Sequence, residues 1–391
     1  MSLPSQVAPR RSGWIIACLL SWILLSTLAC NGGRSALSPT ATSIIKAENP
    51  GSQVTLTPSP TPSPPPTSTD TATPTRTSTA TPISTATPLH PLAIEAMRQE
   101  SYPGSELVIE ETLPPESNYD RYVVSYQSKG LKIYAMLTVP QGEKPESGWP
   151  FIIFNHGYIP PDQYRTAERY LAYVHEFASE GYIVLAPDYR GHGNSEGEPA
   201  DAHTVGDYTV DVLNAVTSVQ RYPDADPQRV GMWGHSMGGA LTLRAMVVSD
   251  QIDAGVIWAG VVAPVEDVWE KRPNWIVRSL KATPDGDETP EPPTEGIFAY
   301  GMFDENPTFW ASVDPTFHLE KLSGPLQLHH STADDSVPVE WSEDLYARLQ
   351  DADQSAELYL YEGDDHNLSN SFVTAMGRCV QFFDRHVKGA D

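Results

Sequence analysis

Cysteine is scarce in this 391-residue chain, with three in all. Cys18 lies inside an apolar run and Cys30 at its end, so Cys379 alone remains for the folded part. No disulfide can form within that part. Cys379 sits in an amphipathic helical pattern and reads as a buried structural thiol. Bases are also few: 25 Lys and Arg stand against 50 Asp and Glu, a formal charge of −25. That excludes nucleic acid as a partner, because neutralising phosphates needs a basic face. The chain has no G-x-x-x-x-G-K phosphate loop and no His/Cys cluster with zinc spacing. His329 and His330 are neighbours on a strand and point to opposite faces, so no metal site is expected.

Proline, by contrast, is abundant. From Thr55 to Pro88, 18 Ser/Thr and 9 Pro make up 27 of 34 residues. Such a stretch cannot bury enough apolar surface to offset chain entropy. Residues 31–99 are therefore expected to be a disordered linker, partly polyproline. A net +3 before residue 100 leaves −28 for the rest. Ahead of the linker, Arg10 and Arg11 precede an 18-residue apolar run, Gly13–Cys30. This is the layout of a secretory signal, at the lower length limit for a membrane anchor. The run ends Leu28-Ala29-Cys30-Asn31-Gly32-Gly33, which resembles the lipobox of bacterial lipoproteins. That resemblance implies lipidation of Cys30, a membrane-held protein and an outward-facing place in the cell envelope.

From about Tyr119 strands and helices alternate. Tyr122–Tyr126 and Leu131–Val139 read as a hairpin. Strands follow at Phe151–Asn155, Ile183–Ala186, Val230–Trp233, Ile252–Val262, Leu326–His329 and Ala356–Tyr361. Helical spacing marks Asp162–Glu180, Thr204–Arg221, Met237–Val248, Val339–Leu349 and Phe372–Lys388. The fold class is α/β: a doubly wound, mostly parallel sheet covered on both faces. Ligands in such folds sit at the carboxyl ends of the strands.

Gly234-His235-Ser236-Met237-Gly238-Gly239 fits G-x-S-x-G, with a strand before it and a helix after it. The strand-to-helix turn is too tight for Cβ atoms beside the serine, and the helix start favours developing negative charge. A serine hydroxyl needs a base, and the base needs an orienting group. Asp334 and His366 each follow a strand's carboxyl end, in the order Ser, Asp, His.

These residues carry a resemblance to the α/β-hydrolase superfamily over about 119–389. Arg229–Ser236, Asp304–Pro307 and Thr332–Pro338 are specifically similar to the catalytic domain of the prolyl-oligopeptidase group of serine peptidases. The resemblance implies Ser236 as nucleophile, His366 as base and Asp334, not Asp335, as orienter, with no cofactor. It implies an oxyanion hole from the N–H groups of Met237 and Tyr158, the latter in Asn155-His156-Gly157-Tyr158. The group usually shows His-Gly-Thr where this chain has His330-Ser331-Thr332, and the large peptidases carry a β-propeller that this chain lacks. Dienelactone-hydrolase-like and feruloyl-type esterases share the bare domain. His156 is read as packing, Pro187–Ser195 as a structural turn with His192 as scaffold, and Asp335, Asp364 and Asp365 as solvated loop acids.

Residues 264–323 are expected to form a cap, with an acidic stretch at Ala282–Glu295. Trp269, Trp275, Phe303, Phe309 and Trp310 either line an acyl or aromatic pocket or form the cap's own core. Two classes of function follow. One is a serine hydrolase of peptide or ester bonds, acting on a small molecule or short peptide. The other is a surface binding protein on an inactive hydrolase scaffold.

Overall fold

A computed structural model of the chain describes residues 89–200, 202–203, 206–277 and 296–389. The apolar run, Cys30, residues 31–88 of the expected linker and the acidic stretch 282–295 lie outside these residues. Among the described residues, no helix is long and apolar enough to cross a membrane.

The chain enters through a short helix, α1 (Ile94–Gln99). Leu92, Ile94 and Met97 are buried, and Arg98 donates to Val247 O at 2.6 Å and to both carboxylate oxygens of Asp250. The expected linker boundary at 99 is thus corrected to before Leu92. Ile94 and Met97, one turn apart, and Leu92 just before the helix suffice to dock this turn once a core is present to receive them.

Among the described residues nine strands follow: β1 (Val108–Leu113), β2 (Tyr119–Ser128), β3 (Leu131–Pro140), β4 (Trp149–Asn155), β5 (Ile183–Pro187), β6 (Ala225–His235), β7 (Ala254–Trp258), β8 (Leu326–Ser331) and β9 (Ala356–Tyr361). They form one sheet in the order β1-β2-β3-β5-β4-β6-β7-β8-β9. The first three strands and the β3–β5 pairing are antiparallel, and from β5 to β9 all pairings are parallel. The β2–β3 hairpin turns at Lys129 and Gly130, both at positive φ, as a two-residue turn of the right-handed ribbon requires. β1 was not expected, since its side chains are almost all exposed and show no apolar period.

Both faces of the central parallel strands β4 and β5 are apolar. On β4, Phe151 and Ile153 enter one core with α3 (Asp207–Gln220) and α4 (Met237–Val248). Ile152 and Phe154 enter a second core with α2 (Leu171–Ser179) and α9 (Phe372–Phe383). The helix expected over Asp162–Glu180 forms only from Leu171. Pro160 and Pro161 open the segment, and Ala167 and Tyr170 adopt positive φ, so 162–170 folds as turns. Between β7 and β8 lie α5 (Val265–Lys271), α6 (Pro273–Val277) and α7 (Pro307–Val313), while α8 (Val339–Asp351) links β8 to β9.

Candidate active site

Ser236 stands between the end of β6 and the start of α4, at φ 55° and ψ −119°. A non-glycine residue holds such a conformation only when its surroundings fix it. Its N–H donates to Trp258 O at 3.0 Å, and its carbonyl accepts from the N–H groups of Gly239 and Val261. The turn tolerates no side chain two residues to either side of it. A Cβ on Gly234 would lie 2.2 Å from Gly238 O, and one on Gly238 would lie 2.0 Å from Asn155 O. Met237 opens α4, so its N–H has no acceptor within the helix.

Asp334 and His366 follow β8 and β9. His366 Nδ1 lies 2.7 Å from Asp334 Oδ2, and the Asp334 side chain is fully buried. Asp334 Oδ1 accepts from the N–H groups of Ser336 (2.9 Å) and Val337 (3.0 Å). Burial alone would raise the pKa of Asp334. Hydrogen bonds from His330 and His366, the His366 charge and the Val337 N–H outweigh it and hold the carboxyl well below the usual range. Asp364 is not solvated, in contrast to the expectation. It is 4% exposed and accepts from Asp365 N, Asn370 N, Asn370 Nδ2 and Ser371 N. These bonds shape the loop that carries His366, a burial set by chain folding that sequence does not reveal. Asp335 and Asp365 are exposed.

The loop after β4 meets the serine from the other side. A Cβ on Gly157 would lie 3.1 Å from Ser236 Cβ, and Tyr158, half exposed, reaches the same cavity. His156 is packed between the rings of Tyr164 and Tyr189, at 4.6 and 4.3 Å, and burial lowers its pKa to about 3. His192 meets Arg190 O through Nδ1 at 3.2 Å. Arg190 makes a two-pronged pair with buried Asp211, tying the turn after β5 to α3.

Two residues join these parts, and the sequence reading missed both. Tyr170 OH accepts from Gly157 N–H at 3.1 Å and meets His235 Nδ1 at 2.8 Å. His235 Nε2 faces His366 O at 3.1 Å. A carbonyl only accepts, so Nε2 carries the hydrogen and Nδ1 accepts from Tyr170. Tyr170 looked like one apolar position of a helix, and the Pro160-Pro161 pair was the available signal against that. Arg244 on α4 is 1% exposed; it donates to Val313 O at 2.7 Å and to His203 O at 3.1 Å. An arginine amid the apolar α4 sequence was its only mark.

Ser236 and His366 open onto one cavity of about 310 Å3. Tyr158, Pro199, Ala200, Tyr208, Val261 and Trp275 give it apolar walls, and no Asp, Glu, Lys or Arg is among its described lining residues. The aromatic residues of the insertion divide. Trp269, Phe303, Phe309 and Trp310 pack with Phe298 or one another at 4.4–5.5 Å, whereas Trp275 faces the cavity. Among the described residues no group of three or more His, Cys, Asp or Glu is placed to share a metal ion. His329 is enclosed by Gln327, Tyr361 and Cys379.

Residues 151–285 match a family model described as serine aminopeptidase, S33. The chain is 25% identical over 256 residues to the uncharacterized peptidase YtmA of Bacillus subtilis, covering 64% of this chain and 88% of that protein. Two longer relatives are spanned over 38% and 57% of their length. The acylaminoacyl peptidase of Pyrococcus horikoshii shares the fold at a TM-score of 0.56 and 21% identity, over 71% of this chain and 43% of that one. An acetyl xylan esterase from Paenibacillus sp. R4 does so at 0.55 and 18%, over 74% and 91%. The chain has the α/β-hydrolase fold, and the family match together with these peptidase and esterase relatives supports a serine hydrolase.

Proposed function

We propose that Ser236, His366 and Asp334 act as nucleophile, base and orienter in hydrolysis through an acyl-enzyme. The observation that carries this is the opening of Ser236 and His366 onto one apolar cavity while His366 is held by buried Asp334. Asp334 accepts from His366 Nδ1–H, which leaves Nε2 to take the Ser236 proton as Oγ attacks a carbonyl. The N–H groups of Met237 and Tyr158 receive the oxyanion. His366 returns the proton to the leaving group, and water then repeats the sequence to release the acid.

The favoured substrate is a short peptide whose residue beside the scissile bond is uncharged and apolar. The cavity lining and the similarity to a peptidase over 88% of its length support this. An ester substrate is the second reading, favoured by the likeness to a bare esterase domain over 91% of its length. A panel of aminoacyl-p-nitroanilides and p-nitrophenyl esters separates the two. Ser236→Ala is expected to abolish both turnover and labelling by a fluorophosphonate probe; persistent turnover in that variant would overturn the assignment. Residues 1–30 are further proposed as a lipoprotein-type signal with lipidated Cys30, holding the enzyme outward on the envelope. Cys30→Ala should then release the protein from the membrane fraction, and unchanged membrane association would refute lipid anchoring.

A further inference from the structure

His330 precedes Asp334 by four residues and is wholly buried. Its Nε2 has two neighbours, Val337 O at 3.1 Å and Asp334 Oδ2 at 3.2 Å. Both accept hydrogen and neither donates, so Nε2 carries the hydrogen. Its Nδ1 lies 2.7 Å from the hydroxyl of Ser342 on α8, which can donate or accept. Oδ2 is also the oxygen that His366 Nδ1 meets at 2.7 Å. Two imidazoles therefore share a single carboxylate oxygen, one on each side of the buried acid.

We propose that His330 is a positioning residue of the hydrolytic reaction: a histidine, locked by Ser342 and Val337, that shares Asp334 Oδ2 with His366 and so limits how strongly the carboxylate holds His366 as an imidazolium. The inference rests on the triad reading above. Charge that Oδ2 places in the His330 hydrogen bond is charge it does not place on His366. With the second donor gone, Oδ2 faces His366 alone. The imidazolium is then favoured at a given pH, and the unprotonated base that attack requires is reached only at higher pH.

The other charged and titratable groups near this pair are few. His235, from the end of β6, packs its ring 4.6 Å from that of His366. Asp364 and Asp365 flank it in its own loop. Tyr173, from α2, reaches Asn367 O through its hydroxyl. Arg272, from the β7–β8 insertion, reaches Ser336 O on the Asp334 loop. Each of these is unchanged in a His330 variant.

The test is the pH profile of kcat/KM for the full chain carrying His330→Leu or His330→Gln, with an ester or anilide that the wild type turns over. In His330→Leu the acid limb should move upward by about half to one pH unit, and kcat should fall about tenfold with little change in KM. In His330→Gln the side-chain amide keeps a donor at the reach of Nε2, and the profile should return most of the way to wild type. An acid limb that stays put in both variants, whatever their melting temperatures, would overturn the proposal. So would equal displacement in both. Should His330→Leu fail to fold, a His330→Gln profile displaced as far as predicted for Leu also overturns it, and a wild-type-like one supports it. Absence of turnover in the wild type itself counts against the triad reading instead, and the two failures are thus distinct.

Discussion

The hydroxyl of Ser331 donates to the backbone carbonyl of Asp364, joining the loop that carries Asp334 to the loop that carries His366. The same oxygen accepts from Ala333 N–H at 3.0 Å, and Ser331 is fully buried. Ser331→Ala leaves a carbonyl and an amide without their partner, a loss of about 1–3 kcal/mol in stability. It should also lower kcat several-fold by loosening the distance between the two loops. Thermal melts and steady-state kinetics on the same preparation check both. A loss of stability with unchanged kcat would mean that the loops hold their spacing without the bond.

Tyr170→Phe removes the hydroxyl between Gly157 N–H and His235 Nδ1. The β4 loop then loses its tie to the serine turn, and the residue after Gly157 is Tyr158. We expect kcat to fall about tenfold, as when oxyanion donors are displaced, with a smaller change in KM. A fluorophosphonate labelling rate and a kcat/KM series measure this, and unchanged values would place oxyanion positioning elsewhere.

Acid should destabilise the fold steeply. His156, His235 and His329 are each lowered to about 3, burial being the largest cause. The unfolded chain, with histidine near 6.5, binds more protons between those values. The stabilisation is thus complete above pH 6.5 and lost as pH falls toward 3. Urea midpoints should drop sharply between pH 6.5 and 4, and a flat profile there would contradict the three buried neutral rings.

Asp188 works in the opposite direction. Burial raises it to about 7, against hydrogen bonds from Thr166 and Tyr164 that lower it. The folded state binds the extra proton between 3.8 and 7, so this group's contribution falls as pH rises through that window. Asp188→Asn removes the ionisation. Relative to wild type, the variant should be more stable at pH 8 than at pH 5, judged by melting temperature. An offset that does not change with pH would show that Asp188 is ionised throughout.

What the sequence disclosed was local. Gly234, Ser236 and Gly238 announce their turn because steric crowding acts within five residues. The central parallel strands announce themselves because both faces are apolar. Asp364 and Tyr170 did not, since their roles depend on segments from 6 to 65 residues away. β1 was hidden by its exposure, and α1 by the composition of the stretch before it. Helical spacing over 162–170 was real but was overruled by two prolines and two positive-φ residues.

Arg244 gives the cavity one stiff wall and one adjustable wall. The helix that presents Ser236 at its first turn also holds His203 O and Val313 O through this guanidinium. Altering the His203 side to admit a new substrate therefore disturbs the body that carries Ser236. Trp275, which also lines the cavity, hangs from a different helix. Efforts to retune selectivity without sacrificing turnover belong on that side.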